Sequence, residues 1–263
     1  MSRRASPFEK WEGLGNDFIL VEGLPLNAER VRRLCDRRLG IGGDGVLLLD
    51  RSPARMEVWN ADGSRPEMCG NGLRCAAAWL VAQGLAVPPE GLRVATDAGE
   101  KRCEVVVVEP DLYEVTVDMG CARLTEPLSV RLDDREHHFT SVDMGNPHAV
   151  TFESHPEDAI DTIAPRISMA PPAGVNVELC RMIGPRRIEV LVWERGVGRT
   201  LACGTGACAV AAAACEAGLT PYEAPIEVVL PGGALTITVA SGTRAITMRG
   251  PARRVFTGQV VST

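Results

Sequence analysis

One segment of this chain occurs twice, and each copy carries a cysteine at the same place. The first copy covers residues 58–85 and the second covers residues 192–219, with ten identical positions among the 28 of each copy. The two cysteines, Cys69 and Cys203, lie 134 positions apart (203 − 69), and the two copies align without a gap. A duplicated half-molecule with one thiol per half can present two thiols to opposite faces of one substrate. The repeat therefore indicates chemistry in which a proton leaves one face of a carbon and another arrives on the opposite face.

Size and charge restrict the class of protein. The chain has 263 residues, which the repeat divides into two halves of about 130 residues, an ordinary size for a domain. Hydrophobic residues make up 45% and charged residues 24%, the composition of a soluble globular protein. The net charge of −6 argues against a non-specific nucleic-acid binder and against a protein that binds anionic membranes. We therefore expect no nucleic-acid partner and no membrane partner.

The first residues and the cysteines indicate a cytoplasmic protein. Residues 1–10 contain no apolar signal-peptide core, and the longest apolar runs, 75–82 and 207–215, are too short to span a bilayer. The chain has nine cysteines, an odd number, and reduced thiols are expected where no secretion signal is present. Most of these cysteines are expected to be small core residues.

Both halves show the same order of patterns. A Gly-Asn turn precedes a strand, a glycine loop precedes a second strand, and a third strand ends in tryptophan before Cys-Gly and a helix. The helices are predicted over residues 70–83 and 204–217, because each is alanine-rich, apolar nearly all round and followed by a glycine that suits a C-cap. Strands, several joined by short turns typical of antiparallel meanders, are predicted over residues 56–59, 101–108, 113–118, 187–192, 226–230, 234–239 and 244–248.

These patterns predict an α+β fold of two homologous halves. Each half is expected to be a curved mixed, largely antiparallel sheet wrapped around a central buried helix, with the active site in the cleft between the halves. Residues 1–117 form the predicted first half, which carries Cys69, and residues 118–250 form the second, which carries Cys203. The C-terminal segment, residues 251–263, is expected to return to the first half.

The position of the two cysteines suits proton transfer. A thiol just before a helix lies at the positive end of the helix dipole, where free N–H groups lower the thiol pKa and bind carboxylates. Glycines at positions 70, 72, 204 and 206 allow a ligand to approach that backbone closely. We therefore predict that Cys69 and Cys203 face the α-carbon of one substrate, one as a thiolate base and the other as a thiol acid.

Three competing interpretations are weaker. Most cysteines are packing residues, but a repeated Cys-Gly-x-Gly at matched helix starts disfavours that role here. Cys-x5-Cys and Cys-x4-Cys inside helices do not match zinc sites, so we predict no metal. Residues 40–45 match G-x-G-x-x-G, but an Arg-rich helical stretch precedes them and a strand follows, which is the reverse of the dinucleotide-binding order. No lysine context suits pyridoxal phosphate, and we predict no cofactor.

Polar loop residues indicate substrate contacts. Four asparagines beside glycines occupy duplicated or nearly duplicated loop positions, namely Asn16, Asn60, Asn146 and Asn176. One such residue alone would be a turn residue, but four in this arrangement indicate hydrogen-bond partners for a polar substrate. Glu194 and Arg195 occupy, in the second half, the position of an uncharged pair in the first. The two ends of the substrate are therefore expected to differ.

The four histidines have different expected roles. For His148 two interpretations stand: the ring orients or tunes a thiol, or it only satisfies a turn. The other three, His137, His138 and His155, have polar neighbours and are expected at the surface.

Nearly the whole chain resembles the diaminopimelate epimerase family. Seven motifs in family order carry the resemblance: residues 13–18 (GLGNDF), 60–64 (NADGS), 69–75 (CGNGLRC), 145–148 (GNPH), 176–178 (NVE), 194–198 (ERGVG) and 203–208 (CGTGAC). The resemblance implies a homodimeric enzyme that interconverts LL- and meso-diaminopimelate without metal or pyridoxal phosphate, in lysine and peptidoglycan precursor synthesis.

The resemblance also implies roles for individual residues. Cys69 and Cys203 map to the base and acid, His148 to a residue that assists the thiols, and Glu194 to a further catalytic position. The implied substrate contacts are Asn16, Asn60, Gly70, Asn71, Asn146, Asn176, Glu194, Arg195, Gly204 and Thr205.

The sequence departs from the family pattern at two positions. Arg199 stands where the family usually has a glutamate, four residues before Cys203, and is expected to lower the thiol pKa or to alter the pocket edge. Phe256 stands where some members have a tyrosine tied to dimerisation, which bears on the expected homodimer.

Two other functions remain open from the sequence. One is a related two-cysteine racemase acting on another amino acid, such as histidine or proline. The other is a non-catalytic amino-acid binder of the same fold. Glu194, Arg195 and the four asparagines favour diaminopimelate, and the presence of both cysteines argues against a binder, since binding alone needs neither.

Overall fold

The computed structural model of the chain describes residues 5–156 and 158–261. The chain divides into two compact units, one made of the residues up to Val117 together with those from Gly250 onward, and the other of Asp118–Arg249. The observed boundary puts Gly250 in the first unit, one residue away from the boundary expected from the sequence. Residues 1–4, 262 and 263, which the sequence analysis assigned to the first half, lie outside the described residues.

The first unit is a mixed sheet with two helices. Its elements in chain order are β1 (Ala5–Gly13), β2 (Asn16–Glu22), α1 (Ala28–Cys35), β3 (Gly45–Arg51), β4 (Ala54–Asn60), α2 (Gly70–Ala82), β5 (Leu92–Thr96), β6 (Gly99–Glu109) and β7 (Leu112–Cys121). The pairs β1–β2, β3–β4, β5–β6 and β6–β7 are antiparallel, whereas β2–β3 and β4–β5 are parallel. The last residues of β7 belong to the second unit.

The second unit repeats this plan with additional short elements. Its elements are β8 (Arg123–Leu124), β9 (Leu128–Leu132), β10 (Arg135–Asp143), β11 (Pro147–Thr151), α3 (Ala159–Thr162), α4 (Ala164–Ser168), β12 (Asn176–Gly184), β13 (Arg187–Glu194), β14 (Gly198–Thr200), α5 (Gly204–Glu216), β15 (Ile226–Leu230), β16 (Gly233–Val239) and the start of β17 (Ala245–Val261). The pairs β10–β11, β12–β13, β15–β16 and β16–β17 are antiparallel, whereas β11–β12 and β13–β15 are parallel.

The order of strand directions is the same in both units. Along each ladder the pairs run antiparallel, parallel, antiparallel, parallel, antiparallel and antiparallel. A parallel pair needs a crossover connection, and helices supply it at each place: α1 and α2 in the first unit, α3 with α4 and then α5 in the second. The meanders predicted from the sequence therefore account for only part of each ladder.

The helices α2 and α5 are buried along most of their length. Both have 13 residues, most of them with small or apolar side chains that suit burial, and α2 also buries Asn71 and Arg74. In the first unit α2 contacts β1, β2, β3, β4 and β6, and in the second unit α5 contacts β10, β11, β12, β15 and β16. Each helix ends before a glycine with positive φ, Gly84 at 86° and Gly218 at 69°, as the sequence predicted.

A second helical layer adds core in each unit. Val31 and Leu34 of α1 join a buried cluster with Ile19 and Val46 of the neighbouring strands. In the second unit, α3 and α4 contribute to a cluster that includes Val177 of β12. In the first unit the segment before β3 follows α1, so residues 40–45 lie between a helix and a strand, the order that excluded a dinucleotide-binding loop.

The end of the chain completes the first unit. From Arg253 to Val261, β17 pairs antiparallel with β1. Arg74 of α2 is fully buried, and its Nε donates to the carbonyl oxygen of Pro251 at 3.1 Å. The C-terminal strand is thus attached both to the sheet and to the buried helix.

None of the helices among the described residues has both the length and the apolar character that crossing a bilayer requires.

Candidate active site

A cysteine caps each of the two buried helices. Cys69 precedes α2 with extended backbone angles (φ −140°, ψ 117°), and its Sγ accepts from the N–H of Gly72 at 3.4 Å. Cys203 precedes α5 with nearly the same angles (φ −125°, ψ 109°), and its Sγ accepts from the N–H of Gly206, also at 3.4 Å. Each thiol therefore lies at the positive end of a helix, beside backbone N–H groups that can bind an anion.

Two glycines leave space beside these thiols. A Cβ added at Gly72 would lie 3.1 Å from Cδ2 of Leu47 and 3.6 Å from the Cys69 sulfur. A Cβ added at Gly206 would lie 2.8 Å from Oε1 of Glu178 and 3.3 Å from the Cys203 sulfur. The second position is the more restricted, because a buried carboxylate oxygen occupies the space that a side chain would need.

In the first unit a chain of side-chain hydrogen bonds leads to the start of α2. Asn71, which is buried, donates from Nδ2 to Oδ1 of Asn16 at 3.2 Å. Asn16 in turn donates from Nδ2 to Oδ2 of Asp44 at 2.8 Å, and Arg37 donates to the other oxygen of Asp44 at 2.8 Å. Residues 40–45, which match the G-x-G-x-x-G pattern, therefore orient the amide of a candidate substrate contact.

Asn60 lies beside this group at the end of β4. Its backbone is paired with Gly45, and the following N–H, that of Ala61, donates to the carbonyl of Asp44 at 3.0 Å. Its side chain donates to Oγ of Ser64 at 3.0 Å, within the turn over residues 60–64. Asn60 and Asn16 are thus brought together through Asp44, although their own side chains have different partners.

In the second unit the corresponding polar residues form a buried network. Asn146 donates from Nδ2 to Oγ1 of Thr205 at 3.3 Å, and its Oδ1 lies 3.1 Å from Nε2 of His148. Nδ1 of His148 lies 2.6 Å from Oε1 of Glu178, and both side chains are fully buried. A carboxylate and an amide oxygen both accept, so His148 lies between two acceptors, one on β12 and one just before β11.

Glu178 is absent from the residues selected as sites from the sequence. It appeared there only within a family motif, although its strand offered a signal. In β12 it stands among the buried residues Asn176, Val177, Leu179 and Cys180. A carboxylate in such a run needs a buried partner, because an unpaired buried charge is strongly disfavoured. The partner, His148, lies on the neighbouring parallel strand β11.

Glu194 and Cys203 influence each other. Burial raises the pKa of Glu194, and hydrogen bonds with Thr200 and Cys203 oppose that shift. The Thr200 hydroxyl donates to Oε1 of Glu194 at 2.6 Å. Burial also raises the pKa of Cys203 well above that of an ordinary thiol, and the charges of Glu194 and Glu178 raise it further. The lowered thiol pKa expected from the helix dipole is therefore wrong for Cys203.

Asn176 and Arg195 are linked through the backbone. The Asn176 Oδ1 accepts from the backbone N–H of Arg195 at 2.9 Å, and its Nδ2 donates to the carbonyl of Pro147 at 3.0 Å. The Arg195 guanidinium donates to the carbonyl of Ala173 at 2.7 Å. The side chain of Asn176, a predicted substrate contact, therefore holds the backbone of Arg195 at the start of its turn. The Arg195 side chain extends along the loop before β12.

Arg199 has a partner away from the thiol. Its Nη1 lies 2.8 Å from Oδ2 of Asp161 in α3, and both side chains are about half exposed, at 47% and 50%. The departure from the family pattern thus joins β14 to α3 by an ion pair. The Arg199 charge is thus paired with Asp161. This ion pair explains the residue without the lowered thiol pKa that the sequence led us to expect.

The other cysteines of the two helices are core residues. Cys75 in α2 and Cys208 in α5 are fully buried, and Cys215 near the end of α5 is only 4% exposed. Burial raises the pKa of Cys75, so this thiol stays protonated. The contrast with Cys69 and Cys203 is one of position, since only those two precede the first turn of their helices.

Comparison with known proteins agrees with the motifs. The sequence model of the family described as diaminopimelate epimerase matches residues 8–125 and 140–255. A diaminopimelate epimerase of Desulforudis audaxviator (strain MP104C) is 44% identical over 278 residues, which cover 97% of this chain and 99% of the relative. A diaminopimelate epimerase of Desulfitobacterium hafniense (strain DSM 10664 / DCB-2) is 40% identical over 275 residues, with 95% and 96% covered.

A solved structure shows the same fold at low sequence identity. The crystal structure of a probable proline racemase from Agrobacterium radiobacter K84, with bound carbonate, superposes with a TM-score of 0.76 at 16% identity and covers 98% of this chain and 93% of that one. The mixed-sheet fold is thus shared with that protein. On the family match and the relatives, this chain belongs to the diaminopimelate epimerase family of isomerases.

Proposed function

We propose that this chain is a cofactor-independent epimerase that interconverts LL-2,6-diaminopimelate and meso-diaminopimelate. The observation that carries the proposal is the matched pair of capping thiols: Cys69 and Cys203 precede helices of equal length and accept from the third N–H beyond them at the same distance, 3.4 Å. Relatives named diaminopimelate epimerase support the substrate. The product serves lysine and peptidoglycan precursor synthesis.

The two units are, in this proposal, the homologous halves expected from the repeat. Each wraps its sheet around its own buried helix and contributes one thiol, and a single substrate meets both thiols in the cleft between the halves. The identical order of strand directions and the matched caps support a duplication. The α-carboxylate binds the N–H groups of Gly70, Asn71, Gly204 and Thr205 at the two helix starts, where the dipoles stabilise the charge that develops on it.

Proton transfer then follows from the charge around each thiol. Burial and the two carboxylates favour the protonated form of Cys203, so Cys203 is the acid of the resting enzyme and Cys69, as thiolate, is the base. The Cys69 sulfur removes the α-proton, and Cys203 delivers its own proton to the opposite face of the carbanion. Afterwards Cys69 carries the proton and Cys203 is the thiolate, which is the state that catalyses the reverse reaction.

Neighbouring residues position the substrate and the thiols. We assign Asn16, Asn60, Asn146 and Asn176 to the amine and carboxylate groups, and Arg195 to the distal end of the substrate, where the second half alone carries a charged pair. Glu194 accepts from the Cys203 thiol and so holds its proton in place. His148 bonds Glu178 and so holds that carboxylate in place.

The mechanism needs both thiols reduced, which fits the cytoplasmic location that we propose. We also propose the family's homodimer as the assembled form. Sedimentation velocity on the purified chain tests that assembly directly.

Exchange at the α-carbon tests the activity. LL-diaminopimelate is incubated with reduced enzyme in deuterated water with no cofactor added, and the α-proton signal is followed by NMR. We expect loss of that signal with appearance of the meso form. No exchange by folded enzyme, together with exchange of proline or histidine, would overturn the substrate assignment.

Cysteine variants test the two-base step. We expect Cys69→Ala and Cys203→Ala each to abolish epimerisation, because each removes one of the two proton carriers. Cys75→Ala and Cys208→Ala are matched controls on the same helices and keep near wild-type turnover, with circular dichroism confirming the fold of all four. A single Cys69 or Cys203 variant with near wild-type turnover would contradict the mechanism.

A further inference from the structure

Two histidines and a glutamate cluster in the second unit, away from the residues assigned to the reaction. We call His137, Glu153 and His155 the histidine cluster. His137 lies on β10, and Glu153 and His155 lie in the segment that follows β11. One ligand atom from each residue lies within 4.8 Å of the others. His137 is only 3% exposed, so its expected place at the surface is wrong.

The cluster has a fixed ring orientation. Nδ1 of His155 lies 2.8 Å from the carbonyl oxygen of Glu153, so this nitrogen carries the proton and donates. The other ring nitrogen of His155, Nε2, lies 3.3 Å from Nδ1 of His137, and these two nitrogens share one proton. Metal-binding histidines typically donate their other N–H to a carbonyl in this way, which fixes the tautomer that presents a lone pair to the ion.

The separation of the two nitrogens suits one tetrahedral ion. Bonds of about 2.0 Å from zinc to nitrogen, at the tetrahedral angle, separate two ligand nitrogens by about 3.3 Å. The observed separation of Nδ1 and Nε2 is 3.3 Å. The two ring nitrogens are thus already at the separation that the ion requires.

A carboxylate and an open side complete the cluster. Oε2 of Glu153 lies 3.6 Å from Nη2 of Arg135, which is too long for a tight ion pair. The Glu153 carboxylate can therefore turn to a cation. Glu153 also lines a surface depression of about 490 Å³, together with Thr151 and Phe152, so solvent reaches this residue of the cluster. Two imidazoles and one carboxylate leave a fourth position for water.

We propose that His137, Glu153 and His155 form a binding site for a divalent transition-metal ion, with zinc as the best match to two imidazoles and a carboxylate. When the ion binds, the proton shared between the rings moves from Nδ1 of His137 to its Nε2, and both facing nitrogens bond to the ion. The ion ties the segment after β11 to β10. It stabilises the second unit and takes no part in proton transfer at the thiols.

Cobalt absorption tests the site because it distinguishes nitrogen from sulfur ligands. Cobalt(II) chloride is titrated into reduced, metal-free, full-length protein. We expect visible d–d bands that saturate at one ion per chain, without the near-ultraviolet charge-transfer band that thiolate ligands give. Zinc should then displace the cobalt and raise the melting temperature.

Three variants assign the ligands. His155→Ala, at a half-buried position, should weaken cobalt binding by more than about 100-fold, the upper end of what loss of an outer-shell partner costs. Glu153→Gln tests the carboxylate and should also weaken binding. The matched control is His138→Ala, since His138 follows His137 on β10 but is exposed and bonds Ser129 at 3.0 Å. It should bind cobalt like the wild type.

The opposite results are equally definite. A charge-transfer band that survives in His155→Ala would put the ion on cysteines and overturn the proposal. Equal weakening by His138→Ala, or no saturable binding by folded wild-type protein, would also overturn it.

Discussion

At the scale of single residues, Cys203 shows the competition between a helix end and burial. The helix dipole and its N–H groups favour a thiolate by roughly 0.3–2 kcal/mol. Burial and the nearby charges of Glu194 and Glu178 act in the opposite direction, and they prevail. The position of the thiol could be predicted from Cys-Gly at the start of an alanine-rich helix. The direction in which its pKa shifts could not be predicted, because the two carboxylates belong to other elements, β13 and β12.

Replacement of Glu178 tests that balance. Glu178→Gln removes one of the charges that raise the pKa of Cys203, so that pKa should fall. If Cys203 acts as the acid, its protonated form, which the reaction needs, is then lost at a lower pH. We expect the alkaline limb of the kcat/KM profile to move to lower pH, with kcat reduced by about 10²-fold as His148 loses its charged partner.

The control for this variant is Glu189→Gln, at an exposed carboxylate that pairs with Arg181 on the surface of the same ladder. It should leave the profile unchanged. An unshifted alkaline limb in a folded Glu178→Gln enzyme would argue against Cys203 as the acid.

A methyl group at Gly206 tests the space beside the thiol. In Gly206→Ala the new Cβ would lie 2.8 Å from the buried Glu178 oxygen, so either the carboxylate or the first turn of α5 must move. A displacement of this kind at a catalytic group is expected to lower kcat by about 10²-fold. Gly72→Ala is the comparison, since the nearest atom to its Cβ would be the end of the Leu47 side chain at 3.1 Å, and the Cys69 sulfur would lie at an ordinary contact distance of 3.6 Å. Steady-state kinetics that rank Gly72→Ala as the more damaged enzyme would contradict this account.

At the scale of elements, the connection from α1 to β3 has a structural role that its sequence does not indicate. Order along the chain is enough to exclude a dinucleotide-binding loop at residues 40–45. It gives no hint that Asp44 orients Asn16, because the network joins residues distant in sequence. Lys10 contacts both Asp17 and the carbonyl of Gly42, and Arg37 bridges Asp17 and Asp44. Such long-range ion pairs leave no periodic signal in the sequence.

Acid should weaken this connection. Burial alone would raise the pKa of Asp17, but hydrogen bonds from Arg37 and Lys10 lower it to about 2. A depressed carboxyl pKa stabilises the folded state above the ordinary value near 3.8, and that stability is lost as the pH falls towards 2. At pH 7 the ionised carboxylate contributes about 2 kcal/mol.

Urea unfolding measures this contribution. Asp17→Asn should lower the free energy of unfolding at pH 7 by about that amount, and the difference from wild type should shrink as the pH falls below about 4. Asp50→Asn, at an exposed position of β3, serves as the control and should change stability by less than about 0.5 kcal/mol. A difference in the free energy of unfolding that grows as the pH falls would contradict this prediction.

At the scale of the whole molecule, the sequence repeat predicts much of the architecture. The two helices follow from alanine-rich runs between Cys-Gly and Gly-Leu, and each observed helix ends one residue before the predicted limit. The parallel pairs could not be foreseen, because alternation along a strand does not reveal the direction of its neighbour. The length of β17 was also missed, since the prediction ended at Met248 and the strand continues to Val261.

Truncation tests the role of that strand. A chain that ends at Arg249 lacks the residues that pair with β1 and the Pro251 carbonyl that accepts from Arg74. Loss of a carbonyl that accepts from a buried charged group costs about 1–3 kcal/mol, and the β1–β17 pairs are lost with it, so the first unit should lose its stable structure. Hydrogen exchange with mass spectrometry should show lost protection in β1 and β2, whereas β12 and β13 stay protected.

A shorter truncation is the matched control. A chain that ends at Thr257 keeps Pro251 and the pairs of Arg253 and Arg254 with β1, so most protection should remain. Full protection of β1 in the chain that ends at Arg249 would show that the C-terminal strand is dispensable.

Because the last strand returns to pair with β1, the two units are completed in a different order from that in which the ribosome synthesises them. The second unit is continuous in sequence, so its strands leave the exit tunnel before the segment that completes the first unit. The first strands of the first unit are synthesised first, but the edge of β1 that pairs with β17 stays open until that strand has left the exit tunnel. In the cell, the earlier half of this protein therefore matures later, and in the interval its open strand edge is the surface that nascent-chain chaperones would protect.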